Sequence, residues 1–241
     1  MTAIYKRELH SFFTTPMGYV YIAMFWAISS FVFCVFTFLA GMDASISSYF
    51  TAELIVIALM TPLLTMKSFS EERKLKTEQL LLTSPVTLPG FVCAKFFASY
   101  TMFVITFLVS CINFPIMFNY LSQENYYNYN VATALGGCVA LLLVGATFIA
   151  IGMLISALTE NQMIAAIGTL AVSAALLGAS LLNSYINIAP IRAFISWLSI
   201  YARFSNFTMG YFDFASLIYY ASFAFVCLFI TVRVYEKRRW A

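Results

Sequence analysis

Apolar residues run along this chain in long blocks, not at the spacing of a soluble helix or strand. The blocks cover residues 17–40, 49–66, 88–118, 131–158, 163–182 and 214–232. Each is near the ~20 residues that a helix needs to cross a hydrocarbon layer. One interior segment breaks the pattern. Residues 67–85 carry Lys67, Glu71, Glu72, Arg73, Lys74, Lys76 and Glu78, then Leu80, Leu81 and Leu82, before Pro85. Its charges each oppose insertion by about 2.5–3.5 kcal/mol, against a few tenths gained per aliphatic residue, so the segment cannot lengthen a neighbouring span. It reads as a short amphipathic helix over 70–84, with Glu72 and Lys76 in the favourable i,i+4 order. Leu75, Gln79 and Leu82 fall on one side, and Ser84 before Pro85 marks its end.

Between the blocks the polar positions assign the remaining elements. Residues 1–16 place Ile4, Leu9, Phe12 and Phe13 near helical spacing among Lys6, Arg7, Glu8 and His10, as expected of an amphipathic helix lying at a membrane surface. Thr87, Pro89 and Gly90 give the third span a helix start. Gly137, Gly145, Gly152 and Ser156 in the fourth span, and Ala171, Ala174, Ala175 and Gly178 in the fifth, are small residues suited to close helix packing. The stretch 186–212 is apolar enough to enter a membrane, yet Pro190, Arg192, Arg203, Asn206 and Gly210 make it a poor single span. Two short re-entrant helices covered by protein fit it better.

Six spans put Lys6, Arg7, Lys67, Arg73, Lys74, Lys76, Lys95, Arg233, Lys237, Arg238 and Arg239 on one side and leave only Arg192 and Arg203 on the other. The positive-inside rule then places both termini and the charged helix in the cytoplasm. Composition agrees: 62% of residues are hydrophobic and 10% charged, with a mean hydropathy of +0.89, where soluble domains carry about a quarter charged residues. The expected class is an all-α integral membrane protein.

Candidate chemistry is sparse. No GxxxxGK[ST] occurs, so no nucleotide is expected on a P-loop of this chain. His10 is the single histidine, which removes a His-pair metal site, and no metal or nucleic-acid site is expected. Cys34, Cys93, Cys111, Cys138 and Cys227 are scattered without CxxC spacing and read as buried thiols. Glu71 and Glu72 resemble the opening of the EExxxR motif of intramembrane CAAX-type proteases, but Lys76 stands where that motif has arginine, and the partner histidines are missing. No catalytic residue is expected. Glu53 and Asp213 lie at span ends and read as snorkelling to the interface.

Pro62, Thr65, Met66, Ser68, Phe69, Glu71 and Glu72, followed by Thr77, Glu78, Leu80, Leu81, Leu82, Thr83, Pro85 and Val86, form a recognisable series after the second span. A tight turn, Ser156, Ala157, Leu158, Thr159, Glu160, Asn161 and Gln162, follows the fourth. The chain closes with Phe204, Gly210, Asp213, Tyr219, Tyr220, Arg238, Arg239 and Trp240. In these stretches the sequence resembles the membrane subunits of type-2 ATP-binding cassette (ABC) exporters, especially the branch of gliding-motility and copper-enzyme-maturation permeases. Lys76 replaces a glycine common in that family.

The resemblance implies a single permease domain over 1–241 that forms half of an export pathway. Residues 70–84 would be a coupling helix on a separate ABC ATPase, with Glu71, Glu72, Arg73, Lys74, Lys76, Thr77, Glu78, Leu81, Leu82, Glu160 and Asn161 as contact residues. Pro190, Arg192, Trp197, Arg203 and Gly210 would belong to an outer re-entrant cap. ATP and Mg would be bound by the ATPase and no cofactor by this chain. A second permease copy or homologue, an accessory membrane subunit and a bacterial inner membrane are further implications. The alternative is a membrane scaffold or assembly subunit that transports nothing.

Overall fold

The computed structural model describes residues 2–39, 46–76, 87–113, 115–116, 131–182 and 189–240. Among them the regular structure is helical, without strands. α1 is Thr2–Thr14, α2 Pro16–Phe33, continued by a π-helical turn Cys34–Leu39, and α3 Ile46–Thr65. α4 is Ser70–Lys74, α5 Leu88–Ser110, α6 Val131–Leu158 and α7 Gln162–Leu182. α8 (Ala189–Leu198) and α9 (Ile200–Thr208) precede α10, Phe214–Trp240. Six of these segments are long and apolar enough to cross a membrane.

α3, α5 and α6 form the inside of the bundle. Their most apolar windows are 67%, 56% and 61% buried, against 22%, 28% and 39% for the spans of α2, α7 and α10. α6 is in contact with α3, α5, α7, α9 and α10. Its glycines permit this: a Cβ at Gly145 would strike the Phe103 ring of α5, and one at Gly152 would strike Thr65 of α3. Phe50, Phe103, Phe107 and Phe148 fill the remaining space as fully buried rings. The outer helices keep exposed Tyr19, Phe31, Ile167, Ile218 and Phe225, a surface that suits lipid rather than water.

The small residues of α7 behave differently from those of α6. Ala171, Ala174 and Ala175 are exposed, and a Cβ at Gly178 would meet nothing. Close helix packing was expected there; within this chain that face of α7 points outward.

α5 begins where the sequence indicates, at an extended Thr87 with Pro89 in its first turn. It ends at Ser110, with Cys111 and Ile112 in a turn. The segment 186–212 contains the two short helices expected of it. They break at Ser199, whose hydroxyl accepts the Ala202 N–H at 3.4 Å. Ile200, Phe204 and Phe207 are fully buried against the bundle.

Candidate functional site

The charged residues collect at one end of the bundle, where α2 and α5 begin and α3 and α6 finish. α1 is amphipathic and lies across this end, packed on α5 and α2. Ile4 and Phe12 lean on the core, and the Tyr5 hydroxyl lies 3.0 Å from Thr101 Oγ1. That placement brings Glu8 of α1 next to α4 and α5.

Lys95 is the centre of the resulting cluster. Its ammonium is 2.9 Å from Glu72 Oε1 of α4 and 3.2 Å from Glu8 Oε1, and it donates to the Ser68 carbonyl at 2.7 Å. Arg7 completes the set at 2.8 Å from Glu8 Oε1 and 3.4 Å from Glu72 Oε1. The Glu8 hydrogen bond raises the Arg7 guanidinium above its ordinary pKa, in spite of partial burial. Two cations thus face two anions, and the Lys95 side chain is only 2% exposed. Its ammonium also lies 5.3 Å from the ring centres of both Phe69 and Phe91. Charges this dry are tolerated because each has a partner.

A second set of contacts joins α4 to the α6–α7 turn. Arg73 Nη1 donates to the Leu158 carbonyl at 2.9 Å, while Nη2 pairs with Glu160 Oε1 at 2.8 Å. The Ser156 hydroxyl accepts the N–H groups of Phe69 and Ser70, both at 3.1 Å, and donates to the Met66 carbonyl at 3.3 Å. These donors lie where the chain leaves α3 and starts α4, and helix starts need such acceptors. From the end of α10, Arg238 donates to the Ala157 carbonyl at 2.6 Å, and Tyr235 packs on Phe69 with ring centres 5.1 Å apart. Of the stretches that carried the family resemblance, residues 66–73, the turn after α6 and the end of α10 meet in space, while Gly210, Asp213 and Tyr219 lie at the opposite end.

Individual expectations fare differently. α4 ends at Lys74, and Lys76 adopts a φ of 57°, the left-handed region, where glycine is favoured. This is the position at which the family commonly has glycine. The expected i,i+4 partnership of Glu72 with Lys76 gives way to an ion pair with Lys95 on another helix. Lys74 and Lys76 are exposed, as are Glu160 and Asn161, whereas Glu71 and Arg73 are half-buried. Asn161 accepts the Met163 N–H at 2.9 Å and so starts α7. Thr77, Glu78, Leu81 and Leu82 lie outside the described residues. Lys95, Glu8, Arg7 and Ser156 were not singled out as site residues by sequence reasoning. The available signal was Lys95 itself, a lone ammonium inside an apolar run.

At the opposite end of the bundle, no ion pair joins the charged groups among the described residues. Pro190 and Arg192 are exposed on α8, and Trp197 meets Tyr219 edge to face at 5.8 Å. Arg203 lies over the other part of that tyrosine, 4.1 Å from the ring centre. Gly210 turns the chain with a φ of 84°. Asp213 does not need to snorkel: it caps α10, accepting from the Ser216 hydroxyl at 2.6 Å and the Ala215 N–H at 2.9 Å. These bonds hold its carboxyl below the usual range. Glu53 corrects the snorkelling expectation outright. It is 1% exposed, and among the described residues its carboxylate oxygens accept no hydrogen bond. Tyr49, Phe50, Leu54, Val56 and Ile57 beside it are buried too, so this face of α3 turns into the bundle and away from the surface.

Comparison with curated proteins returns no match. Residues 41–235 match the model of a family described as ABC-2 family transporter protein, a stretch that includes α3 to α9, the α4 joint and most of α10. With the match spanning most of its length and six helices able to cross a membrane, the chain belongs to the ABC-2 transporter family as a multi-pass permease subunit.

Proposed function

We propose that this permease forms half of an export pathway and couples to a separate ATPase through α4 and the α6–α7 turn. The observation that carries the reading is Arg73, which bonds both the Leu158 carbonyl and Glu160 and so makes one platform of two segments distant in sequence. On the exposed side of that platform stand Lys74, Leu75, Lys76, Glu160 and Asn161. These are the contact residues for the ATPase. Glu72 acts from behind, holding α4 to α5 through Lys95. A push on α4 then moves α3, α5 and α6 together, as rigid-body transmission requires.

In this reading both termini and the platform are cytoplasmic, in a bacterial inner membrane, and ATP and Mg are bound by the ATPase. Charge counting supports the orientation. The resemblance of residues 62–86 supports the gliding-motility and copper-enzyme-maturation branch. A second permease copy or homologue pairs with this one, and the exposed small residues of α7 offer a face for close helix approach. α8 and α9 dip into the outer leaflet as a cap. An accessory membrane subunit completes the assembly, and a cargo low in charge, such as an amphiphile, suits the apolar spans.

The test is copurification from native membranes followed by reconstitution. A stoichiometric ATPase with a P-loop is expected, and Arg73→Ala should lower its transport-coupled hydrolysis about tenfold, equivalent to ~1.4 kcal/mol, with membrane insertion unchanged. An absent ATPase would favour the non-transporting scaffold. Full coupling in the Arg73 variant would remove the platform from the mechanism.

A further inference from the structure

A cleft of about 590 Å³ opens beside the Lys95 cluster, between α1, the first residues of α2, the last turn of α3, α4 and α5. Its volume falls in the range of small-molecule sites, ~300–1,000 Å³. Its walls change character with depth. Leu63, Leu64, Phe12 and Met17 make an apolar side, and Lys67, Glu71, Arg7 and Glu8 make a charged rim. Leu63 and Leu64 belong to the last turn of a span, while Lys67 and Glu71 lie just beyond it. The cleft therefore straddles the level at which the spans pass from apolar to polar surroundings.

The charges on the rim are not equivalent. Arg7, Glu8, Glu72 and Lys95 neutralise one another in the ion pairs described above. Lys67 and Glu71 do not: among the described residues neither side chain takes part in an ion pair, although both line the cleft. Among the described residues the cleft thus presents one ammonium and one carboxylate outside any ion pair, with Arg7 beside them, paired to Glu8 and Glu72 yet 55% exposed. A ligand that satisfies both needs an anion and a hydrogen-bonding cation on one short polar head, joined to an apolar body.

We infer that the cleft binds a zwitterionic phospholipid with a primary ammonium, its phosphate held by Lys67 and Arg7 and its ammonium by Glu71. Charge-assisted hydrogen bonds favour this head over a quaternary one, because a quaternary ammonium has no N–H to give the carboxylate. The glycerol and the first part of an acyl chain lie on the Leu63, Phe12 and Met17 side. Net-neutral lining disfavours a purely anionic lipid, whose head would leave Glu71 facing a negative charge. The cleft shares Leu75 with the ATPase contact residues, but the groups that would hold the lipid head, Lys67, Arg7 and Glu71, are not among them.

Native mass spectrometry of the full chain in detergent tests it, with phosphatidylethanolamine, phosphatidylcholine and phosphatidylglycerol of identical acyl chains as probes. Phosphatidylethanolamine should be retained over both others by about tenfold or more, or ~1.4 kcal/mol. The Lys67→Gln/Glu71→Gln double variant should lose that preference, and Lys74→Gln should keep it. Should the double variant fail to fold, Glu71→Gln alone decides, since it should shift the preference toward phosphatidylglycerol. Equal retention of the three lipids overturns the site, as does an unchanged preference in the Glu71 variant. Free phosphoethanolamine bound as tightly as the lipid also overturns it, because the apolar side would then contribute nothing.

Discussion

At the end of the bundle that carries α4, charged side chains pair between elements; at the opposite end none of the described ones joins an ion pair. Lys95 on α5 meets carboxylates from α1 and α4, and Arg73 on α4 reaches the α6–α7 turn. Far from them, Asp213 caps the helix that follows it, Arg203 rests on an aromatic ring, and Glu53 is buried with no hydrogen bond among the described residues. Both ends hold ionisable groups near apolar spans, so burial alone does not separate them. What separates them is whether opposite charges from different segments pair. A shared network makes several helices move as one body, whereas a group outside such a network does not.

The comparison is most exposed at Lys95. Lys95→Met leaves Glu8 and Glu72 facing each other without their buried cation, and should lower stability by about 3–5 kcal/mol in detergent thermal unfolding. A cost no larger than that of a surface substitution would mean that the network does not hold α1, α4 and α5 together. Glu53→Met at the other end should have the opposite sign. It removes a buried carboxyl that makes no hydrogen bond among the described residues, and should raise stability by about 1–3 kcal/mol. A loss there would show that Glu53 belongs to a network of its own and erase the contrast. The smallest effect is expected at Lys76. With its φ of 57°, Lys76→Gly should stabilise the turn after α4 by about 0.5–1 kcal/mol. Slower hydrogen exchange at the Leu75 and Lys76 amides, which are bonded to Glu71 and Arg73, would register it. Unchanged exchange would place the strain elsewhere.

Much of the fold was legible before any coordinates. The spans follow from block length and transfer energy, which depend only on composition along a window. The start of α5 followed from Thr87 and Pro89, and the pair of short helices before α10 from an apolar stretch interrupted by Pro190 and Arg192. The site was legible in part. The segment 67–85 and the turn after α6 read as polar links between spans, whereas the contacts made within them do not show in the sequence. Glu72 looked like a partner of Lys76 because helical spacing is the only geometry that a sequence exposes. The left-handed turn at Lys76 and the approach of α5 send it to Lys95 instead. Asp213 and Glu53 looked alike as acids at span ends; local bonds to Ala215 and Ser216 made one a cap, and packing between helices buried the other.

By itself the sequence determined the helical membrane class, the number of spans and the segment that cannot enter the bilayer, because insertion is a local transfer free energy summed over adjacent residues. Only the tertiary structure decided which charges find one another, which small-residue face is packed and which is left open, and that a cleft forms where α1 crosses the ends of the spans. Those outcomes depend on contacts between segments that lie tens of residues apart, and neither periodicity nor composition carries that distance.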